Sequence, residues 1–205
     1  MKKRKTSERR EEIVQAALRV AARHGAGGLN VARIARQVGM APSAIYRHFN
    51  GIDAVMAAML DFIEARLHGH LAEVRDKSDR AFDRLHDLLQ RHVRLIRENE
   101  AIPQIVFSEQ IYSGNPERRD RLHRLIQGYL EQVGELIRDG QAAGEIRDDV
   151  APETAVMLFL GLIQPAAIFW RISQGRFDVT GGAERGWEVY RRGLTPRPKG
   201  ANEET

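Results

Sequence analysis

An all-α fold is what this sequence predicts, and three observations carry the prediction. Apolar residues recur at spacings of three and four through nearly the whole chain. Glycine, proline and asparagine interrupt those stripes where helices would have to end. No run alternates apolar and polar residues for long enough to argue for a sheet. With 205 residues, 42% of them hydrophobic and 29% charged, the chain has the balance of a folded protein of one or two domains.

The elements follow in order. Ile13, Ala16, Ala17, Val20, Ala21 and His24 give one apolar face over residues 7–24, and Gly25, Gly27 and Gly28 end it. Asn30 stands where an N-cap is wanted, Val31, Ile34, Ala35 and Val38 form the next stripe, and Gly39 stops it in a left-handed turn. Pro42 fits a first helical position, opening a third helix through Phe49. Stripes then predict helices over 53–75, 79–98 and 101–112, and a long one from Leu122 to Ile137 that closes near Gly140–Gly144. Pro152 opens a helix through Ile172 that is apolar nearly all round, with Pro165 inside it. Gly181 and Gly182 precede a last helix with Trp187, Val189, Tyr190 and Leu194. Residues 196–205 are polar, carry two prolines and read as a disordered tail.

Composition excludes several functions. With no cysteine there is no disulfide, thiolate metal site or cysteine nucleophile, which suits the cytoplasm. Lys2, Lys3, Arg4 and Lys5 follow Met1 where a secretory signal would need apolar residues. The longest apolar stretch, 155–170, contains Gln164 and Pro165 and is shorter than the ~20 residues that span a bilayer, so no membrane partner is expected. Asp61, Glu64 and His68 could share a helix face, but a solvated surface is the simpler reading, and no metal is expected. No phosphate-binding loop, nucleophile elbow or zinc-protease motif occurs, so neither an enzyme nor a cofactor is expected.

Charge is unevenly placed. Residues 1–50 hold eleven Lys or Arg against three Glu, a net +8, whereas the whole chain is +4, leaving −4 for the remainder. A basic head on a slightly acidic body suits a head that meets a polyanion, although a solubilising tail would look the same.

Val31–Val38 and the segment after Pro42, joined through Gly39, describe a helix-turn-helix. Ala35 is small enough for close crossing, and Ile34, Val38 and Ile45 supply the contact. Pro42, Ser43, Tyr46, Arg47 and His48 are left to meet a major groove. The run VARIARQVGMAPSAIYRHF over residues 31–49 resembles the DNA-binding signature of the TetR family of bacterial transcriptional repressors, with Ile34-Ala35, Gly39, Tyr46 and Phe49 at the family's spacing. The likeness is close over about residues 10–56 and elsewhere rests on length and helix order.

That resemblance implies an all-α homodimer of nine or so helices. Residues 1–50 would form a three-helix DNA-binding domain with a basic arm, and residues 51–195 a helical body for effector binding and dimerisation. It implies double-stranded DNA with a palindromic operator as partner, and a small-molecule effector. It assigns phosphate contacts to Tyr46 and His48 and base-facing positions to Pro42 and Ser43. Arg33 and Arg36 reach phosphate or only solvent; Arg47 reads guanine or touches phosphate. One position departs: where the family often carries a phosphate-clamping lysine stands Ile52. The arm of Lys2, Lys3, Arg4, Lys5, Arg9 and Arg10 is the available compensation.

In the body, Phe62, Ile63, Leu67, Ile96, Phe107, Tyr112, Phe159 and Ile163 are candidates to line an effector pocket. His92, Glu109, Gln110 and Gln164 are polar residues within or beside apolar stripes that a ligand or a neighbour would have to satisfy. An apolar or aromatic effector fits such a lining. The alternative is an architectural, chromosome-organising DNA binder on the same fold with a filled body.

Overall fold

The structure, a computed structural model, describes residues 2–112 and 115–197, with the side chains of 2–5 and 112 outside the description. It is all-α, as the stripes require. Among the described residues ten α-helices follow one another: α1 (Lys2–His24), α2 (Val31–Val38), α3 (Pro42–Ile45), α4 (Gly51–Lys77), α5 (Ala81–Glu98), α6 (Ala101–Val106), α7 (Glu109–Tyr112), α8 (Pro116–Ala142), α9 (Pro152–Ile172) and α10 (Val179–Leu194). A short 3-10 turn, Ala26–Gly28, follows α1. They group into two compact units that interleave along the chain, Met1–Leu67 with Glu98–Ile126, and His68–Arg97 with Gln127–Thr205. Among the tail residues, 198–205 lie outside the described residues.

In the first unit, α1 to α3 form the head. Gly25 turns the chain at φ 70°. The Asn30 carboxamide oxygen accepts from the Arg33 amide at 2.9 Å and caps α2. Gly39, at φ 77° and ψ 36°, ends it. The Met40 amide donates to the Ala35 carbonyl at 2.9 Å and the Gly39 amide to that of Arg36 at 3.3 Å, the bond pair of a Schellman stop. Pro42 opens α3, which is a single turn and shorter than its stripe suggests. The amides of His48 and Phe49 both donate to the Ile45 carbonyl at 2.9 Å, so residues 46–48 continue as tight turns. Ile13, Ala17, Val20, Ala21, Ile34, Ala35, Ile45 and Phe49 are buried together and form the head's core.

The same unit takes in α6, α7 and the start of α8. Gln104 donates to the Ala22 carbonyl at 3.1 Å, tying α6 to the end of α1. The expected single helix over 101–112 is two. Ser108 is buried, and its hydroxyl bonds the Ile105 carbonyl at 2.9 Å, offering the backbone a turn where the helix would continue. Two arginines of α8 fasten α4. Arg118 donates to the Gln110 carbonyl at 3.1 Å and faces Asp53 at 3.4 Å. Arg121 bonds Glu64 and Asp61, which hold its guanidinium still further above its ordinary range.

The second unit is a bundle of α5, α9, α10 and parts of α4 and α8. Leu71, Leu85, Leu88, Leu89, Val133, Leu136, Ile137 and Phe159 fill it. Trp187 meets Phe82 edge-on, with centroids 6.2 Å apart, and lies 5.6 Å from Tyr190, whose hydroxyl donates to the Ala155 carbonyl at 3.0 Å. α10 begins earlier than Gly181 and Gly182 suggest, because Asp178 accepts from the Gly181 amide at 2.9 Å and caps a turn containing both glycines. α9 has the bounds its stripe predicts, and its 21 residues are long and apolar enough to cross a membrane by length and composition only, a test that the core helix of a soluble protein also passes. Pro165 stays within it. Its buried side holds Ala155, Phe159, Ile163 and Ala167, and Leu162 closely approaches Gly186 of α10.

Candidate nucleic-acid interface

The third-helix segment is two-sided because its residues allow nothing else. Ala44 and Ile45 are buried in the head, which leaves Pro42, Ser43, Tyr46 and Arg47 exposed and His48 half-buried on the opposite side. Tyr46 is 59% exposed, unusual for an aromatic side chain next to a core, and its ring and hydroxyl are free to meet a partner. The structure therefore brings five of the sequence candidates onto one surface. Arg33 and Arg36 are exposed on α2. Arg33 spends one donor on the Gly28 carbonyl at 2.8 Å, which fixes its guanidinium against the turn before α2. Lys3, Arg4 and Lys5 belong to α1, with side chains outside the described residues.

Two features had no local signal. Arg10 donates to the His48 carbonyl, and its guanidinium lies 4.1 Å from the centroid of the Phe49 ring, a contact spanning 38 residues of sequence. Nδ1 of His48 is buried without a hydrogen-bond partner. Arg9, by contrast, is paired with Glu12 one turn along α1.

The effector candidates divide between the units. Phe62, Ile63, Leu67, Phe107, Glu109 and Gln110 lie in the first, as does Tyr112, whose side chain is outside the described residues. His92, Ile96, Phe159, Ile163 and Gln164 lie in the second. Ile63, His92, Ile96, Phe159 and Ile163 are buried; Phe62 and Leu67 are half-buried. Phe107, Glu109, Gln110 and Gln164 are exposed, so burial does not force a ligand on them. Asp61 and Glu64 do share a face, and Arg121 takes both carboxylates.

His92 has a neighbour. The Tyr129 hydroxyl lies 3.2 Å from its Nδ1, with the rings edge to face at 5.2 Å. Burial, with a smaller effect of nearby His70, lowers the His92 pKa to about 4, and burial raises that of Tyr129. Both are neutral at pH 7. The first unit also holds an open cavity of about 540 Å³, with Ala57 and Leu60 on one side and Arg118, Arg121 and Arg124 on another. None of the sequence candidates lines it.

Comparison with known proteins places this geometry. The family model of bacterial regulatory proteins of the tetR family matches residues 13–59, which span α1 to the first part of α4. A model of the tetracyclin repressor-like C-terminal domain matches residues 78–194. The chain is 25% identical to the nucleoid occlusion factor SlmA of Vibrio vulnificus over 186 residues, 90% of this chain and 95% of that protein. It is 22% identical to the fatty acid metabolism regulator protein of Bacillus subtilis over 82% of this chain and 86% of that one. Among solved structures, the fatty acid degradation regulator FadR of Bacillus halodurans superposes with a TM-score of 0.79 at 21% identity, over 92% of this chain and 97% of that one. FadR of B. subtilis in complex with stearoyl-CoA gives 0.78 at 21%, over 90% and 98%. The two models together span both the helix-turn-helix and the helical body, and the chain belongs to the TetR family of DNA-binding transcription regulators.

Proposed function

We propose that this protein is a cytoplasmic homodimeric repressor that occupies a palindromic operator and leaves it when a small apolar or aromatic effector enters the helical body. The carrying observation is the two-sided segment 42–49. Its buried side is fixed by the head's core, while Pro42, Ser43, Tyr46 and Arg47 are presented to a groove from a segment of net charge +8. The arm residues Lys3, Arg4 and Lys5 add sequence-independent phosphate contacts. Repression would be steric, by blocking polymerase.

Dimerisation is supported by apolar exposure. Met157, Leu158, Ile168, Phe169 and Ile172 of α9 are 45–72% exposed and Val189 of α10 is 74% exposed. A second copy covering them by a two-fold axis would remove that area from water and place two heads for a palindrome. An apolar effector is supported by the buried aromatic and aliphatic candidates. The stearoyl-CoA held by B. subtilis FadR makes a long acyl chain the first class to try.

The test is selection of bound duplexes from a random pool, then chromosome-wide occupancy with and without long-chain acyl-CoA. A few palindromic sites, vacated on addition of ligand, are expected. The likeness to SlmA favours the second reading, a chromosome-organising DNA binder. Many dispersed sites whose occupancy no acyl-CoA changes would establish that one instead.

A further inference from the structure

We propose that Arg10 is a DNA-phosphate contact held in position by the recognition segment itself. The inference rests on the DNA-binding reading and adds to it a residue from α1.

Three observations converge on Arg10. Its guanidinium donates to the His48 carbonyl, the one directly before the core residue Phe49. It also covers the face of the Phe49 ring, 4.1 Å from the centroid. A planar group held by a stack and a hydrogen bond has lost most of its rotamer freedom before any partner arrives. Among the described residues no carboxylate pairs with it, whereas its neighbour Arg9 is neutralised by Glu12. A guanidinium carries five N–H donors. One is used within the head, and the residue is exposed, so the rest of the fork faces water.

The His48 carbonyl receives Arg10, so the cation sits at the end of the segment whose Pro42, Ser43 and Tyr46 are exposed. Phosphates line the groove's rims, and a fixed cation at that end meets them rather than base edges.

The experiment measures affinity for a mixed-sequence DNA duplex across a series of salt concentrations, for the parent, Arg10→Gln and Arg10→Lys. Gln keeps an amide donor for the His48 carbonyl and a flat group for Phe49, but no charge. The expected result is a salt slope reduced by about 0.9 per head with Gln, about twice that per dimer, and retained with Lys. Selected base preference should stay that of the parent. A parent-like slope in Arg10→Gln, or a shifted base preference at parent-like slope, overturns the proposal and makes Arg10 a structural brace. A parent that binds no duplex would instead overturn the DNA-binding reading. If Arg10→Gln melts well below the parent, Arg10→Lys set against Arg10→Met gives the same charge comparison, and equal slopes in that pair likewise overturn the proposal.

Discussion

Acidification should weaken this protein measurably through a single buried ring. His92 is 7% exposed, and its pKa falls from 6.5 to about 4, first because burial penalises the imidazolium and then because His70 is near; the Leu88 carbonyl offsets a little. A base with a depressed folded pKa binds fewer protons folded than unfolded between those two values. Its contribution is therefore complete above pH 6.5 and is lost as pH falls through about 4. The depression is worth about 3 kcal/mol over that window, a large part of the about 5–15 kcal/mol of a typical domain. The perturbation is the double substitution His92→Leu with Tyr129→Phe. Changing His92 alone would leave the buried Tyr129 hydroxyl without its partner, costing about 1–3 kcal/mol at every pH. Removing both polar groups avoids that. Urea unfolding at fixed protein concentration, repeated between pH 8 and pH 4, should show the parent losing about 3 kcal/mol more than the double variant. Carboxylates titrate in both, so the difference isolates the ring. If the double variant weakens as steeply as the parent, His92 is not the buried neutral base described.

Three further outcomes are expected. Gly39→Ala should lower stability by about 1 kcal/mol in thermal melts, since the new Cβ meets no atom and only the left-handed backbone opposes it; Gly39→Asn should cost less. Tyr46→Phe should weaken binding to all duplexes about equally, whereas Ser43→Ala or Arg47→Ala should change the selected bases, by up to about 1–3 kcal/mol at one position. Leu158→Glu with Ile172→Glu should raise the dimer dissociation constant about thirty-fold or more, read by sedimentation at micromolar concentration.

Much of the fold was legible because helices announce themselves through spacing. Asn30, Gly39 and Pro42 act where their chemistry places them, and the exposure of Pro42, Ser43, Tyr46 and Arg47 follows from the burial of Ala44 and Ile45. What escaped depended on partners distant in sequence or on competition within a turn. Nothing in residues 101–112 says that the Ser108 hydroxyl will win the Ile105 carbonyl and split the helix. Gly181 and Gly182 look like a break, yet Asp178 caps a helix through them. Gln164 sits in a stretch apolar on every side, where periodicity selects no face, and it is exposed. His92 read as a polar residue in want of a partner; Tyr129, 37 positions on, supplies one. Arg10 looked like one charge in a basic run until its place over Phe49 set it apart from Arg9.

The interleaving of the two compact units has a consequence for synthesis. α6 bonds the end of α1 through Gln104, and the first unit closes only with Glu98–Ile126. A ribosome that has released Leu67 must add about 60 more residues, which takes about 3–12 s at about 5–20 residues per second. Through that interval the nascent head exists without the segment that covers it. Slow codons between residues 68 and 126 would lengthen the exposure, and a chaperone acting on this chain would find its first target at the end of α1.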